Sequence, residues 1–423
     1  MLENLRRALP LLFALGILFA AGDELTRRGK IYDAITGQPL KDAIITLGDA
    51  VARTEANGNF QIHGTGLQLG ARAYGYQRAR VDLAQQDGVL DIGLKPFAPK
   101  ALYLSFYGIG DRALRESALE LIETTELNAL VIDAKGDRGG IPYRSGVSLA
   151  AQVGAQQVIT VKDAEGLLRS LHAQAVYTIA RIVVFKDNPL ASTRPDLAVK
   201  DQRGAVWHDR EGLAWTDPFK KEVWDYNIAV AVEAAQYGFA EIQFDYVRFP
   251  DARGLVFSMP NTEERRVRAI SQFLQLARKK LTPYNVFLAA DIFGYVCWNL
   301  DDTGIGQTLE RLTAHLDYLS PMLYPSGFHV GIPEIRNPVA HPYEIVYRSL
   351  ARARERTGLP PVRFRPWLQA FRDYAFDRRP FTSTEIRKQI QAAEHFGANG
   401  WMLWNPENNY SADGLKDRGR WGG

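Results

Sequence analysis

The sequence has almost no cysteine. Cys297 is the only one in 423 residues, so no intramolecular disulfide can form and a four-cysteine zinc site is excluded. Histidine is sparse as well. The seven residues, at 63, 172, 208, 315, 329, 341 and 395, are scattered and never form HExxH. There is no P-loop, and no GxGxxG follows a strand-like run. Each of those motifs places ligand groups at a spacing the chemistry needs. Their absence predicts no hydrolytic zinc, no nucleoside triphosphate and no dinucleotide, so neither a cofactor nor a metal is expected. An excess of one charge is missing too, with 51 Lys and Arg against 48 Asp and Glu. Proteins that live on nucleic-acid phosphates carry a basic surface, so nucleic acid is not an expected partner.

What is present is an ordinary globular mixture, 46% hydrophobic and 23% charged, in a chain longer than one compact domain usually holds. The first residues stand apart. Arg6 and Arg7 precede an apolar run of about 15 residues, and Ala20, Ala21 and Gly22 follow it. This is the layout of a secretory signal peptide. The run is shorter than the roughly 20 residues a spanning helix needs, and the alternative for residues 1–22 is an uncleaved anchor that tethers the chain through residues 8–22. Both readings place the rest outside the cytoplasm, whether periplasmic, secreted or membrane-anchored. Nothing in the sequence sets an oligomeric state.

Residues 29–95 show short apolar stretches broken by turns and no helical period. "TEANGNFQI" holds an Asn-Gly pair between Thr54 and Phe60, a strong hairpin signal. The pattern predicts a small β-sandwich. "DAITGQPLKDAIITL" followed by "NGNFQI" resembles the carboxypeptidase regulatory-like, or transthyretin-like, domains. The resemblance implies a non-catalytic accessory. Prolines near 96–99 mark its end.

From residue 100 the rhythm changes. Apolar runs at 101–108, 129–137, 176–185, 241–250, 286–294, 317–325, 364–371 and 400–406 alternate with helical stretches, for example at 111–126, 218–238 and 262–281. Buried strands alternating with helices imply a parallel sheet. Eight of them in about 310 residues match the α/β (β/α)8 TIM barrel, over residues 100–410. A doubly wound open sheet is the runner-up.

A TIM barrel builds its active site at the C-terminal ends of its strands, and the polar residues fall there. Asp133, Lys135 and Asp137 end the second strand, and Arg181 lies on the third. Gln243, Asp245 and Arg248 mark the fourth, Asp291 the fifth, Tyr324 the sixth, Gln369 the seventh and Asn405 the eighth. Side chains alternate faces along a strand, so Gln243 and Asp245 share a face, as do Ala289 and Asp291. Asp137, in "KGDRGG", reads as a turn residue beside glycines. Arg181 reads equally as a counter-ion for inner carboxylates. All eight tryptophans follow residue 200. Some fill the core, but Trp298 and Trp404 lie beside strand ends, where an aromatic face suits the C–H face of a sugar.

Two carboxyls at one mouth suit glycoside hydrolysis, in which one protonates the leaving oxygen and the other attacks the sugar or activates water. Retention and inversion are both open. The rival reading is a carbohydrate-binding barrel without turnover. The segments "DAKGDRG", "ARIVVFKDN", "WTDP", "DYN" and "GFAEIQFDYVRFP" together resemble a bacterial glycoside hydrolase family whose fourth strand reads "IQFDYVRFP". The likeness covers essentially all of residues 100–407. It implies a barrel, a polysaccharide or oligosaccharide substrate, and Asp245 as a catalytic carboxylate. Asp291 is then the chosen partner. Asp133, Lys135, Arg181, Gln243, Arg248, Trp298, Tyr324, Gln369, Trp404 and Asn405 are the expected substrate-binding groups.

Overall fold

The computed structural model describes residues 25–85 and 88–419. The signal or anchor expected in residues 1–22 lies outside them, as does Trp421. Among the described residues, no helix is long and apolar enough to cross a membrane.

Seven strands form the N-terminal unit: β1 (Leu25–Asp33), β2 (Ile44–Leu47), β3 (Ala50–Arg53), β4 (Asn59–Gly64), β5 (Gln68–Arg72), β6 (Ala79–Asp82) and β7 (Leu90–Leu94). They make two sheets, ordered β4-β1-β7 and β3-β2-β5-β6. Ile31, Ile45, Phe60, Leu69 and Ile92 are buried in one core between them. Along β4 the buried Phe60 and Ile62 alternate with exposed neighbours, as a strand covered on one face requires. The expected hairpin at Asn57–Gly58 needs correction. The turn is there, with Gly58 at φ 81°. However, β3 pairs with β2 and β4 pairs with β1, so the turn carries the chain from one sheet to the other.

The second unit is a closed barrel of eight parallel strands: β8 (Lys100–Leu104), β9 (Ala129–Lys135), β10 (Tyr177–Val183), β11 (Glu241–Asp245), β12 (Phe287–Phe293), β13 (Tyr318–Met322), β14 (Trp367–Gln369) and β15 (Trp401–Trp404). Leu403 pairs with Leu102, which closes the ring and removes the open-sheet alternative. Every residue of β9, β10 and β11 is buried, which is why these strands read as unbroken apolar runs. Among the described residues, nine helices accompany the strands: α1 (Arg112–Thr124), α2 (Ser148–Gln152), α3 (Ala164–Ala173), α4 (Asn188–Thr193), α5 (Lys221–Tyr237), α6 (Glu263–Leu281), α7 (Leu309–Leu312), α8 (Pro342–Thr357) and α9 (Ser383–Phe396). Their ends are written locally. Asp111 and Asp163 accept N-terminal amides of α1 and α3, and Thr382 with Glu385 forms a capping box on α9. The fourth strand is shorter than the run at 241–250 suggests. It stops at Asp245 because Tyr246 takes φ 47° and turns the chain out of the sheet.

The small unit seals the floor of the barrel, the end where strands begin. Arg78 donates from Nη2 to the carbonyls of Gly238 and Phe239 at 3.0 and 2.9 Å, and from Nη1 toward those of Tyr284 and Asn285. Gly238 is the left-handed C-cap of α5, so a cation from the sandwich meets the negative end of a barrel helix. Asn285 donates to Ala79 O and accepts from Arg72. A Cβ on Gly70 would stand 2.5 Å from the Asn285 side chain. Only glycine lets β5 lie this close to the barrel.

Candidate active site

Alternation puts Ile242, Phe244, Leu288, Ala290 and Ile292 in the layer between strands and helices. Gln243, Asp245, Ala289 and Asp291 therefore face the barrel axis. The observed register places Arg181 of β10 beside Asp133 of β9 on one side and Gln243 of β11 on the other. One arginine thus stands among carboxylates, and the contacts bear this out. Arg181 Nη1 donates to Asp133 Oδ1 at 2.7 Å, and Nη2 donates to Asp137 Oδ1 at 2.6 Å. Asp245 Oδ2 accepts from Nε at 2.9 Å and from the same Nη2 at 2.6 Å. The guanidinium also lies 4.8 Å from the centre of the Trp404 ring, which stacks on Tyr103 at 4.0 Å.

Each carboxylate has a different surrounding. Asp245 Oδ1 accepts the backbone N–H of Tyr246 at 2.6 Å, so three donors hold its negative charge. Tyr246 reaches that geometry in a left-handed conformation that a non-glycine residue rarely takes, and such strain gathers at functional sites. Asp133 is buried and accepts from Arg181, Tyr103 Oη and Phe106 N. Burial pushes it up to about 6, with Arg181 opposing and Asp137 adding to the rise. Asp291 is 1% exposed. Its Oδ1 accepts from Gln243 Nε2 at 2.7 Å and from Trp367 Nε1 at 2.6 Å. Burial first and the charge of Asp245 second hold it well above the usual carboxylate range. Its Oδ2 has no partner among the described residues. Gln243 Oε1 is likewise buried without one, an acceptor at the mouth that a bound donor would satisfy. Tyr324 packs against the inner cluster that holds Tyr103 and Trp367, and its hydroxyl is raised by burial first, then by Asp291 and Asp245.

The structure therefore gathers Asp133, Arg181, Gln243, Asp245, Asp291, Tyr324 and Trp404 at one mouth. Five other expected contacts are corrected. Lys135 is fully buried outside the barrel, paired with Asp187 Oδ2 at 2.7 Å and bonded to Asn227 of α5. Trp298 donates to Ser349 on α8, carried there by the turn at Gly294–Cys297. Gln369 faces inward, but its amide is consumed by Ser326 and the carbonyl of Phe371. Asn405 spends its side chain on Ala370, Asn409 and Glu407. Arg248 forms the outer wall instead of binding Asp245, stacked on Trp215 at 5.0 Å and Tyr246 at 5.1 Å.

Three site residues escaped the sequence reading. Asp137 sits on a glycine turn, as its pattern said, yet its carboxylate is part of the cluster. Tyr103 and Trp367 look like apolar strand filler, and only their polar atoms, bonded to Asp133 and Asp291, give them a place here. Among the described residues, no three His, Cys, Asp or Glu side chains converge as metal ligands.

Comparison with known proteins bears on the fold and the family. Among solved structures, a hypothetical protein from Ruminiclostridium thermocellum ATCC 27405 is 37% identical over 45% of this chain and 96% of its own, with a TM-score of 0.41. The glycoside hydrolase domain of PgaB (BpsB) from Bordetella bronchiseptica is 14% identical, covers 74% of this chain and 95% of its own, and has a TM-score of 0.54. Alpha-L-fucosidase isoenzyme 2 from Paenibacillus thiaminolyticus is 15% identical, with 74% and 47% covered and a TM-score of 0.50. The last two are likenesses of fold. No curated protein matches the sequence. Residues 101–410 match the family described as "Putative glycosyl hydrolase domain", and the chain belongs to that family.

Proposed function

We propose that this protein is an exported glycoside hydrolase that cleaves a polysaccharide at the barrel mouth through Asp245 and Asp291. One observation carries the reading: a carboxylate clamped by Arg181 and a buried carboxyl with no cation of its own share one mouth, each held by different neighbours. Such a split between paired carboxyls assigns the acid and the base. Asp291 gives its proton to the glycosidic oxygen as the C–O bond breaks, and the leaving alcohol departs neutral. Asp245 is the nucleophile at the anomeric carbon, its Oδ1 keeping a lone pair beyond the Tyr246 bond. In a second step Asp291, now a carboxylate, takes a proton from the water that frees the sugar. Arg181 fixes Asp245, while Tyr324 and Gln243 reach the substrate's hydroxyls.

The basic-apolar-small layout of residues 1–22 supports export or a membrane tether. The motif at 33–47 supports a carboxypeptidase regulatory-like accessory in the N-terminal unit. The test uses the chain from residue 23 on bacterial exopolysaccharides and storage glucans, beside Asp245→Asn and Asp291→Asn. New oligosaccharides in the mass spectrum of the wild-type digest alone support the reading. Equal products from all three proteins would remove both aspartates from the mechanism.

A further inference from the structure

A second hollow opens beside the carboxylate cluster, a cavity of about 420 Å3 lined by Phe106, Tyr107, Asp137, Val158 and Trp404, with Asp133 at its inner end. A larger hollow of about 710 Å3 lies along α6 and touches none of the mouth residues. The smaller one is contiguous with the chemistry. Two of its lining side chains, Tyr107 and Val158, are 60% and 51% exposed, an apolar surface that nothing among the described residues covers. Asp137 stands at the junction of hollow and mouth. Its side chain is 40% exposed, and its Oδ2 has no partner among the described residues.

The turn that carries Asp137 is firmly held. Gly136 N bonds Gly140 O at 2.9 Å, and Gly139 N bonds Gly136 O at 2.8 Å. A Cβ on Gly140 would meet the Phe106 ring at 3.1 Å, so the turn is pressed against the wall of the hollow. Asp137 is thereby presented as a fixed acceptor beside an aromatic surface. This is the chemistry that recognises a sugar ring, whose C–H face lies on the aromatic wall while a hydroxyl donates to the carboxylate.

We propose that this hollow is a subsite for a sugar unit beyond the two that flank the scissile bond, and that Asp137 is its specificity-determining residue. The proposal rests on the glycosidase reading of the mouth and deepens it. The geometry adds a consequence. Asp137 and Asp245 accept from the same nitrogen of Arg181, each at 2.6 Å. That nitrogen carries two hydrogens, one for each carboxylate, so a hydroxyl bound at Asp137 is joined to Asp245 through Arg181. A substrate too short to reach the hollow forgoes that contact and loses affinity.

The test measures binding of a panel of β-1,4-, β-1,6- and α-1,4-linked oligosaccharides of two to six units by saturation-transfer NMR. Wild type, Asp245→Asn, Asp137→Asn and Tyr107→Ala are compared, with Val158→Lys as a second block of the hollow should Tyr107→Ala disturb its loop. The proposal expects a long oligosaccharide to bind wild type and Asp245→Asn alike, and about tenfold more weakly to the other variants. It also expects KM to rise for long substrates and to stay unchanged for a two-unit substrate in Tyr107→Ala and Val158→Lys, a split that general damage would not give. Turnover of long substrate with unchanged KM in the hollow variants would overturn the subsite and leave the hydrolase standing. Weakened binding in those variants with no turnover by wild type would overturn the hydrolase and keep the subsite. Failure of wild type to bind any member of the panel would overturn the subsite as a sugar site.

Discussion

The two ends of the barrel both bury charge, and they do it in opposite ways. At the floor, Arg365 donates to both oxygens of Glu241 at 2.7 Å. Asp317 meets Arg278 at 2.7 Å and, from the sandwich, Arg72 at 4.0 Å. Every carboxylate there has its own cation, and the sandwich closes the end. At the mouth, Asp133, Asp137 and Asp245 share the single guanidinium of Arg181, while Asp291 stands beside them with no ion-pair partner among the described residues. Nothing among the described residues closes that end as the sandwich closes the floor. Paired charge in a sealed place is architecture. Unbalanced charge in an open place costs stability, and folded proteins keep it mostly where it does chemistry.

The contrast predicts opposite answers to one kind of substitution. Glu241→Gln leaves Arg365 buried without its anion, and breaking such a pair costs about 3–5 kcal/mol. Guanidinium-chloride unfolding should show that loss, with secondary structure at low denaturant unchanged. Asp291→Asn at the mouth should cost almost nothing in the same experiment, because an amide keeps the acceptor for Gln243 and Trp367 and brings no charge to bury. Its effect falls on turnover, about 10²–10⁴-fold for a lost general acid. If the two substitutions destabilised equally, the division of the barrel into a structural and a chemical end would fail.

Arg78→Ala tests the closure of the floor. It removes the donor to four carbonyls at the ends of α5 and α6, and at about 0.5–1.5 kcal/mol per bond, with the longer two counting least, a loss of about 2 kcal/mol is expected. Thermal melting should report it, while the KM of any substrate found stays unchanged. A change in KM would mean that the floor reaches the mouth.

Much of this was legible in the sequence, and the rest was hidden for stated physical reasons. Eight strands could be counted because strands covered on both faces must be apolar throughout, and the charges at their ends, such as Asp245 and Asp291, broke that rule in plain sight. Alternation correctly sent both aspartates inward. It failed for Lys135 because the pairing of β9 with β10 shifts register after Asp133 and Arg181. Such an irregularity turns the next side chain to the other face. Asp137 was read from its glycine neighbours, and its partner Arg181 lies 44 residues away, beyond what a local pattern can show. The Asn57–Gly58 turn was visible, but which strand pairs with which is decided by the core of the whole unit.

The smallest expected effect is also the one that most directly tests whether the mouth acts as one field. Asp291 is raised by burial first and by Asp245 second, with Arg181 opposing. Asp245→Asn deletes the second cause and frees Arg181 to favour the ionised form of Asp291. Both changes lower its pKa. Carbon-13 titration of the aspartate carboxyls should therefore show Asp291 ionising at lower pH in the variant than in wild type. Glu241 provides the internal control, since it too is raised by burial, but against Arg365 and with no contribution from Asp245, and its signal should not move. The same sign applies to activity. Asp291 acts as the acid only while protonated, so the alkaline limb of the wild-type pH–rate profile marks the loss of that proton. A variant with any residual turnover should lose it at a lower pH. An unmoved Asp291 would mean that burial alone keeps its proton, and the two aspartates would then be neighbours without being a pair.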